Sequence, residues 1–186
     1  DIVKDGAAKA VRELKSEGIR KSVMLTGDDE AVAGRIASEL GIDTYYAGLL
    51  PQEKVEKLQQ IKLEMPKGKG VAFVGDGMND APVFMSADVG LAMGGLGSDA
   101  AIEAADLVIM DDDIRRIPLA IRIAKHTHTI VSENVAFALG IKAVFIILGV
   151  VGYAGMWQAV VADVGVSLLA VLNSLRAAGK RREAGK

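Results

Sequence analysis

Two carboxylates four residues apart, Asp76 and Asp80, stand in the run Gly75-Asp76-Gly77-Met78-Asn79-Asp80-Ala81-Pro82. The apolar run from Gly70 to Val74 precedes them and reads as a buried parallel strand. Its carboxyl end is the edge of an open α/β sheet at which ligands bind. Glycines there let the backbone turn tightly, so the pair suits Mg²⁺ and a phosphate group. An acidic turn with a helix cap is the plainer alternative, but the motif is long for that. Thr26-Gly27-Asp28 follows a second apolar run, Lys21 to Leu25, and Lys54 lies at the start of a later helix. A hydroxyl and an ammonium can hold phosphoryl oxygens while carboxylates hold Mg²⁺ against them, which is what phosphoryl transfer requires. Alone, Thr26 could be a helix cap and Lys54 a solvated charge; their placement after successive strands favours the joint reading.

The elements that must position these groups alternate. Ala7 to Glu17 has Ala10, Val11 and Leu14 at helical spacing, with Gly18 where the helix would end. The strand of Lys21–Leu25 leads into a helix from Glu30 to Leu40, then Gly41. Thr44-Tyr45-Tyr46 leads to a helix opened by Pro51 and running to about Glu64. Val89–Met93 and Leu107–Met110 are further strands, separated by a helix that Ser98 or Asp99 could cap. The expectation is a doubly wound α/β domain with its polar tips on one sheet edge.

Composition divides the 186 residues unevenly. The net charge of −2 hides 16 basic and 22 acidic residues up to Glu133 against 6 and 2 from Asn134 onward. No cysteine is present, so any metal here must meet oxygen or nitrogen ligands. The amino terminus lacks a charged-then-apolar signal pattern and starts inside what reads as a folded unit, so a fragment is expected.

Ile114 to Ser132 reads as a long amphipathic helix with Arg115, Arg116, Arg122 and Lys125. His126 and His128, two residues apart, fall on different helix faces and are given no role. Val135–Gly152 is apolar apart from Lys142. Trp157–Leu175 is apolar apart from Gln158, Asp163, Ser167, Asn173 and Ser174. Each is about long enough to cross a bilayer core. The tail carries Arg176, Lys180, Arg181, Arg182 and Lys186, which by the positive-inside bias places both ends in the cytosol. A charge within a bilayer needs a partner or a task. Lys142 and Asp163 lie about 12 and 9 residues from the turn near Ala154, depths roughly 5 Å apart, so they can pair. The pair could neutralise itself as a structural link, or Asp163 could ligate a transported cation with Lys142 compensating when the cation has left; both can hold.

Thr26-Gly-Asp28, Pro51-x-x-Lys54, Gly75-Asp-Gly-x-Asn-Asp-Ala-Pro82, Ala87-Asp-Val-Gly-Leu-Ala-Met93 and Ala101-Ile-Glu-Ala-Ala-Asp106 together resemble the phosphorylation domain of a heavy-metal P-type ATPase, a branch of the haloacid-dehalogenase superfamily. The resemblance implies that Thr26, Gly27, Asp28 and Lys54 serve the phosphoryl group, that Asp76 ligates Mg²⁺, and that Asn79 and Asp80 complete that site. Met78, where the family has Ile, and Val83-Phe84, in place of a small residue and Leu, concern packing. Lys142 and Asp163-Val-Gly165 resemble the zinc, cadmium and lead exporters of the family, rather than the Tyr-Asn and Met/Ser patterns of copper exporters or the His-Glu-Gly of cobalt-type members. In the zinc group a Cys-Pro-Cys pair on an earlier helix supplies further ligands.

The resemblance thus implies residues 1–113 as the carboxyl-terminal part of the phosphorylation domain, 114–134 as a connecting helix, 135–175 as a transmembrane hairpin and 176–186 as a basic cytosolic tail. It implies ATP-driven export of Zn²⁺, Cd²⁺ or Pb²⁺ through an aspartyl-phosphate, with Mg²⁺ and ATP, from a multi-pass position in the cell membrane and with no nucleic-acid partner. The family's Asp-Lys-Thr-Gly nucleophile motif and nucleotide-binding insertion do not occur in this sequence. Alone, the chain is expected not to turn over ATP and to need the missing amino-terminal part of the ATPase. Two other readings stay open. One is a membrane-anchored phosphatase of the same superfamily, although an anchor needs no paired intramembrane charges. The other is a non-catalytic remnant.

Overall fold

A computed structural model describes residues 6–76, 80–94, 99–111 and 113–183. It divides into two compact units, Asp1–Pro118 and Leu119–Lys186. In the first, strands and helices alternate: α1 (Ala7–Ser16), β1 (Val23–Leu25), α2 (Glu30–Leu40), β2 (Thr44–Tyr46), α3 (Pro51–Glu64), β3 (Ala72–Gly75), α4 (Ala81–Ser86), β4 (Val89–Met93), α5 (Asp99–Ala104) and β5 (Leu107–Ile109).

Local chemistry sets most boundaries. The Asp29 carboxylate accepts the Val32 N–H at 2.9 Å and starts α2. Gly41, at φ +70°, ends it, and the Gly41 and Ile42 N–H groups close onto the Ser38 and Ala37 carbonyls. At the head of α3, Pro51 supplies no N–H where none is needed, and the Glu53 carboxylate accepts the Leu50 N–H at 2.7 Å. Ala7, Ala10 and Val11 on α1 and Ala33 and Ala37 on α2 are buried, the spacing of one helical stripe.

Among the described residues, every strand pairing is parallel. β1 pairs with β2, Leu25 opposite Tyr46, while β3, β4 and β5 form a separate sheet with Gly75 opposite Ala92 and Met93 opposite Ile109. The expectation of a single sheet edge is corrected here: among the described residues β1 and β3 do not pair, so the polar tips after them stand on two sheets. Packing beneath β3 centres on Phe84 of α4. It meets Phe73 edge-on at 5.2 Å and lies with Ala92 in a cluster closed by Ala104, Ala105 and Val108.

One polar latch ties these parts. From α3, the Lys62 ammonium donates to the Ser86 carbonyl at 2.9 Å and pairs with Asp88 at 2.8 Å. The other Asp88 oxygen accepts the Val71 N–H at 2.8 Å, ahead of β3. Lys62 first, and then the Val71 N–H, hold the Asp88 carboxyl below its ordinary range. Folding therefore favours the ionised form: this contribution is present above about pH 4 and is lost as pH falls through the lowered folded value. Asp88→Asn should lower the thermal midpoint of the protein at pH 7 and leave a smaller deficit at pH 3. Equal deficits at both pH values would remove charge from the account.

The second unit is a helical hairpin. Helix α6 (Arg116–Val150) is continuous, one helix carrying both the expected connecting stretch and the first apolar span. After a turn at 151–155, in which the Gln158 side chain accepts the Gly155 N–H at 3.0 Å, α7 (Met156–Glu183) returns. Both are long and apolar enough to cross a membrane. Their apolar side chains point outward: Ile146, Ile147, Val164 and Leu168 are all more than 60% exposed, while Ile130 and Val166 are buried. Such a surface is inside out for a water-soluble hairpin and suits lipid or further apolar helices.

Candidate functional site

Thr26 begins where β1 ends. Its N–H extends the ladder to the Tyr46 carbonyl at 3.0 Å, and its carbonyl accepts the Leu49 N–H at 3.0 Å, which fixes the tip on both sides. The hydroxyl donates to an Asp28 carboxylate oxygen at 2.7 Å and accepts the Asp28 N–H at 3.1 Å. Gly27 passes close under the next loop, where a Cβ would stand 3.3 Å from the Leu49 carbonyl. Thr26, Gly27 and Asp28 therefore form one compact tip, with Thr26 half-buried and Gly27 and Asp28 exposed.

The second tip belongs to β3. Asp76 follows the last strand residue and is exposed; Asp80 precedes α4 and is buried at 8% exposure. Asp80 is held by two means. Its carbonyl accepts the Val83 and Phe84 N–H groups at 2.8 and 2.9 Å, opening the short helix. Its carboxylate pairs at 3.1 Å with the Lys54 ammonium, which reaches across from α3. A Cβ on Gly75 would stand 2.7 Å from the other Asp80 oxygen, so only glycine lets the carboxylate lie against the strand end. A charge this buried calls for a partner, and Lys54 is that partner.

The structure thus joins Thr26 with Asp28, and Lys54 with Asp80. Among the described residues no hydrogen bond or ion pair links these two sets. Asn79 lies outside the described residues. Sequence patterning missed the Lys62–Asp88 latch and the close approach of Asp80 to Gly75. The one available signal was the placement of Lys54 and Lys62 about two turns apart on α3.

Mg²⁺ fits this donor set. The two acidic groups offer hard oxygen, and among the described residues there is no cluster of three or more His, Cys, Asp or Glu that would make a closed protein cage. One or two carboxylates, with water and phosphate oxygens filling the remaining positions, is the pattern Mg²⁺ favours.

In the hairpin, the Lys142 ammonium meets the Asp163 carboxylate at 3.1 Å, so the two charges lie at one level along the helices. They line an open groove of about 500 Å³ with Phe145, Ile146, Gly149, Met156 and Val160. Ser167 donates to the Asp163 carbonyl at 2.9 Å. Both charged side chains keep more than half of their surface exposed within this unit, so either can reach an incoming ligand.

The chain thus carries strand-tip carboxylates on a parallel α/β domain, followed by a hairpin of two long apolar helices with a paired charge. Residues 1–88 match the family described as haloacid dehalogenase-like hydrolase. The chain is 55% identical over 179 residues to a zinc-transporting ATPase of Synechocystis sp., covering 96% of this chain and 24% of that protein. It is 53% identical over 176 residues to a cadmium, zinc and cobalt-transporting ATPase of Bacillus subtilis, covering 95% and 25%. The crystal structure of a zinc-transporting PIB-type ATPase in the E2.Pi state superposes with a TM-score of 0.87 at 40% identity, over 95% of this chain and 28% of that one. The chain belongs to the heavy-metal P-type ATPases and corresponds to their carboxyl-terminal part. It spans about a quarter of the length of the curated relatives it matches.

Proposed function

We propose that this chain serves ATP-driven export of a divalent heavy-metal cation, Zn²⁺, Cd²⁺ or Pb²⁺. Residues 1–113 would complete the phosphorylation domain, 114–134 connect it to the membrane, 135–175 form the last transmembrane hairpin, and 176–186 a cytosolic tail. The observation that carries this reading is the Lys142–Asp163 pair at 3.1 Å within two helices otherwise apolar at that level. Isolated charges there are costly, and a mere anchor has no use for them. Carboxylate oxygen suits a divalent ion such as Zn²⁺, whereas Cu⁺ prefers soft sulfur.

At the strand tips, the Thr26 hydroxyl can rotate from Asp28 to donate to a phosphoryl oxygen. The Lys54 ammonium, already held by Asp80, offers a second positive contact. Asp76 and Asp80, with Asn79, would hold Mg²⁺, which when bound neutralises charge on the phosphoryl oxygens. The phosphate acceptor and the nucleotide domain would come from sequence outside these 186 residues. ATP-dependent uptake of Zn²⁺ by everted membrane vesicles carrying the full-length protein is the expected result. Uptake no greater than in vesicles without the protein would reject the proposal.

A further inference from the structure

Asn134, Asn173 and Ser174 stand at the polar ends of the two apolar spans, and the structure gathers them at one place. The Asn134 amide donates to the Ala170 carbonyl at 3.1 Å and to the Ser174 hydroxyl at 3.0 Å, while its oxygen accepts from the Asn173 amide at 2.8 Å. The Asn173 oxygen in turn accepts from Arg176 at 2.9 Å, and Arg176 pairs with Glu133 at 3.4 Å. The knot therefore joins α6 to α7 through consecutive, mutually satisfied polar groups.

Between apolar helices in lipid, side-chain packing alone tolerates sliding, because lipid chains replace lost contacts at little cost. An interhelical amide does not tolerate it. A slip of one turn, about 5.4 Å, breaks all three of its interhelical hydrogen bonds at once. A single such amide can set register, as a polar residue does at a coiled-coil seam. The register set here matters for the charge pair. Lys142 follows Asn134 by eight residues, about 12 Å along α6, and Asp163 precedes Ala170 by seven, about 10.5 Å along α7. The helices run antiparallel, so both offsets lead to the same level.

We infer that Asn134 is a positioning residue that sets the register of α6 against α7 and so holds Lys142 level with Asp163. The inference rests on the transport reading above. If Asp163 exchanges Lys142 for a cation, the ion pair opens during each cycle and cannot keep the register by itself. The Asn134 contacts lie away from that exchange and persist through it.

The test has two arms. The 186-residue chain has no cysteine, so Leu139→Cys and Leu168→Cys, at two exposed positions on the two helices, can carry spin labels in lipid nanodiscs. The parent should give one narrow distance, and adding Asn134→Leu should give a second population displaced by about 5 Å, one helical turn. In the full-length protein, Asn134→Leu should raise the Zn²⁺ concentration for half-maximal ATPase stimulation about tenfold or more, the effect expected of a misplaced supporting residue. Phosphorylation from inorganic phosphate without metal should be unchanged; a merely unfolded variant would lose it. Asp163→Ala is measured alongside. Lost stimulation in Asp163→Ala together with an unchanged label distance or unchanged Zn²⁺ requirement in Asn134→Leu overturns the inference alone. Retained stimulation in Asp163→Ala overturns the transport reading and the inference with it.

Discussion

Asp76→Ala in the full-length protein should reduce phosphoenzyme formation from ATP by a factor on the order of 10² to 10³, the loss typical of one electrostatic stabiliser removed from a charged transition state. Asp76 is the cleaner target of the two carboxylates. It is exposed at the end of β3, so its removal opens no cavity. Asp80 is buried beside Lys54 and against Gly75, and deleting it would leave the ammonium without its partner as well as removing a candidate Mg²⁺ ligand. The measurement is acid-stable phosphorylation from labelled ATP across a Mg²⁺ titration, with a thermal melt as folding control. A well-folded Asp76→Ala with parental phosphoenzyme and an unshifted Mg²⁺ requirement would sink the assignment.

The second large effect lies in the hairpin. Asp163→Ala should remove Zn²⁺-stimulated ATPase activity to near background while metal-independent phosphorylation from inorganic phosphate persists, because the strand-tip residues are untouched. The substitution also leaves the Lys142 ammonium without its 3.1 Å partner, which lowers stability on its own account. The double variant Asp163→Ala/Lys142→Ala separates these effects. Recovery of stability without metal stimulation is the expected outcome. Recovery of both would make the pair structural and the ligand role wrong.

How much of this was legible without coordinates depends on how local the cause is. α2 was readable to the residue, from Glu30 to Leu40, because an aspartate cap and a left-handed glycine stop lie next to it in the chain. β2 was readable from its β-branched and aromatic residues, Thr44-Tyr45-Tyr46, and β4 from a short apolar run between polar tips. β3 was expected at 70–74 and forms at 72–75. Asp88 takes the Val71 N–H, a choice made by a residue 17 positions away that no local pattern reveals.

The sequence by itself determined the residue types at the site, Thr26 and Asp28 after one strand and Asp76 and Asp80 after another, because strand, tip and helix are encoded by short-range periodicity and capping. It also determined the two apolar spans and the near-equal depth of Lys142 and Asp163, since helical rise is constant along the chain. Tertiary structure alone decided which of these groups meet. It split the expected sheet in two, gave Lys54 to Asp80 across α3 and α4, and closed Asn134 onto Asn173 and Ser174. Such contacts depend on how far each side chain must reach to satisfy a group already removed from water, and that distance exists only once the elements have packed.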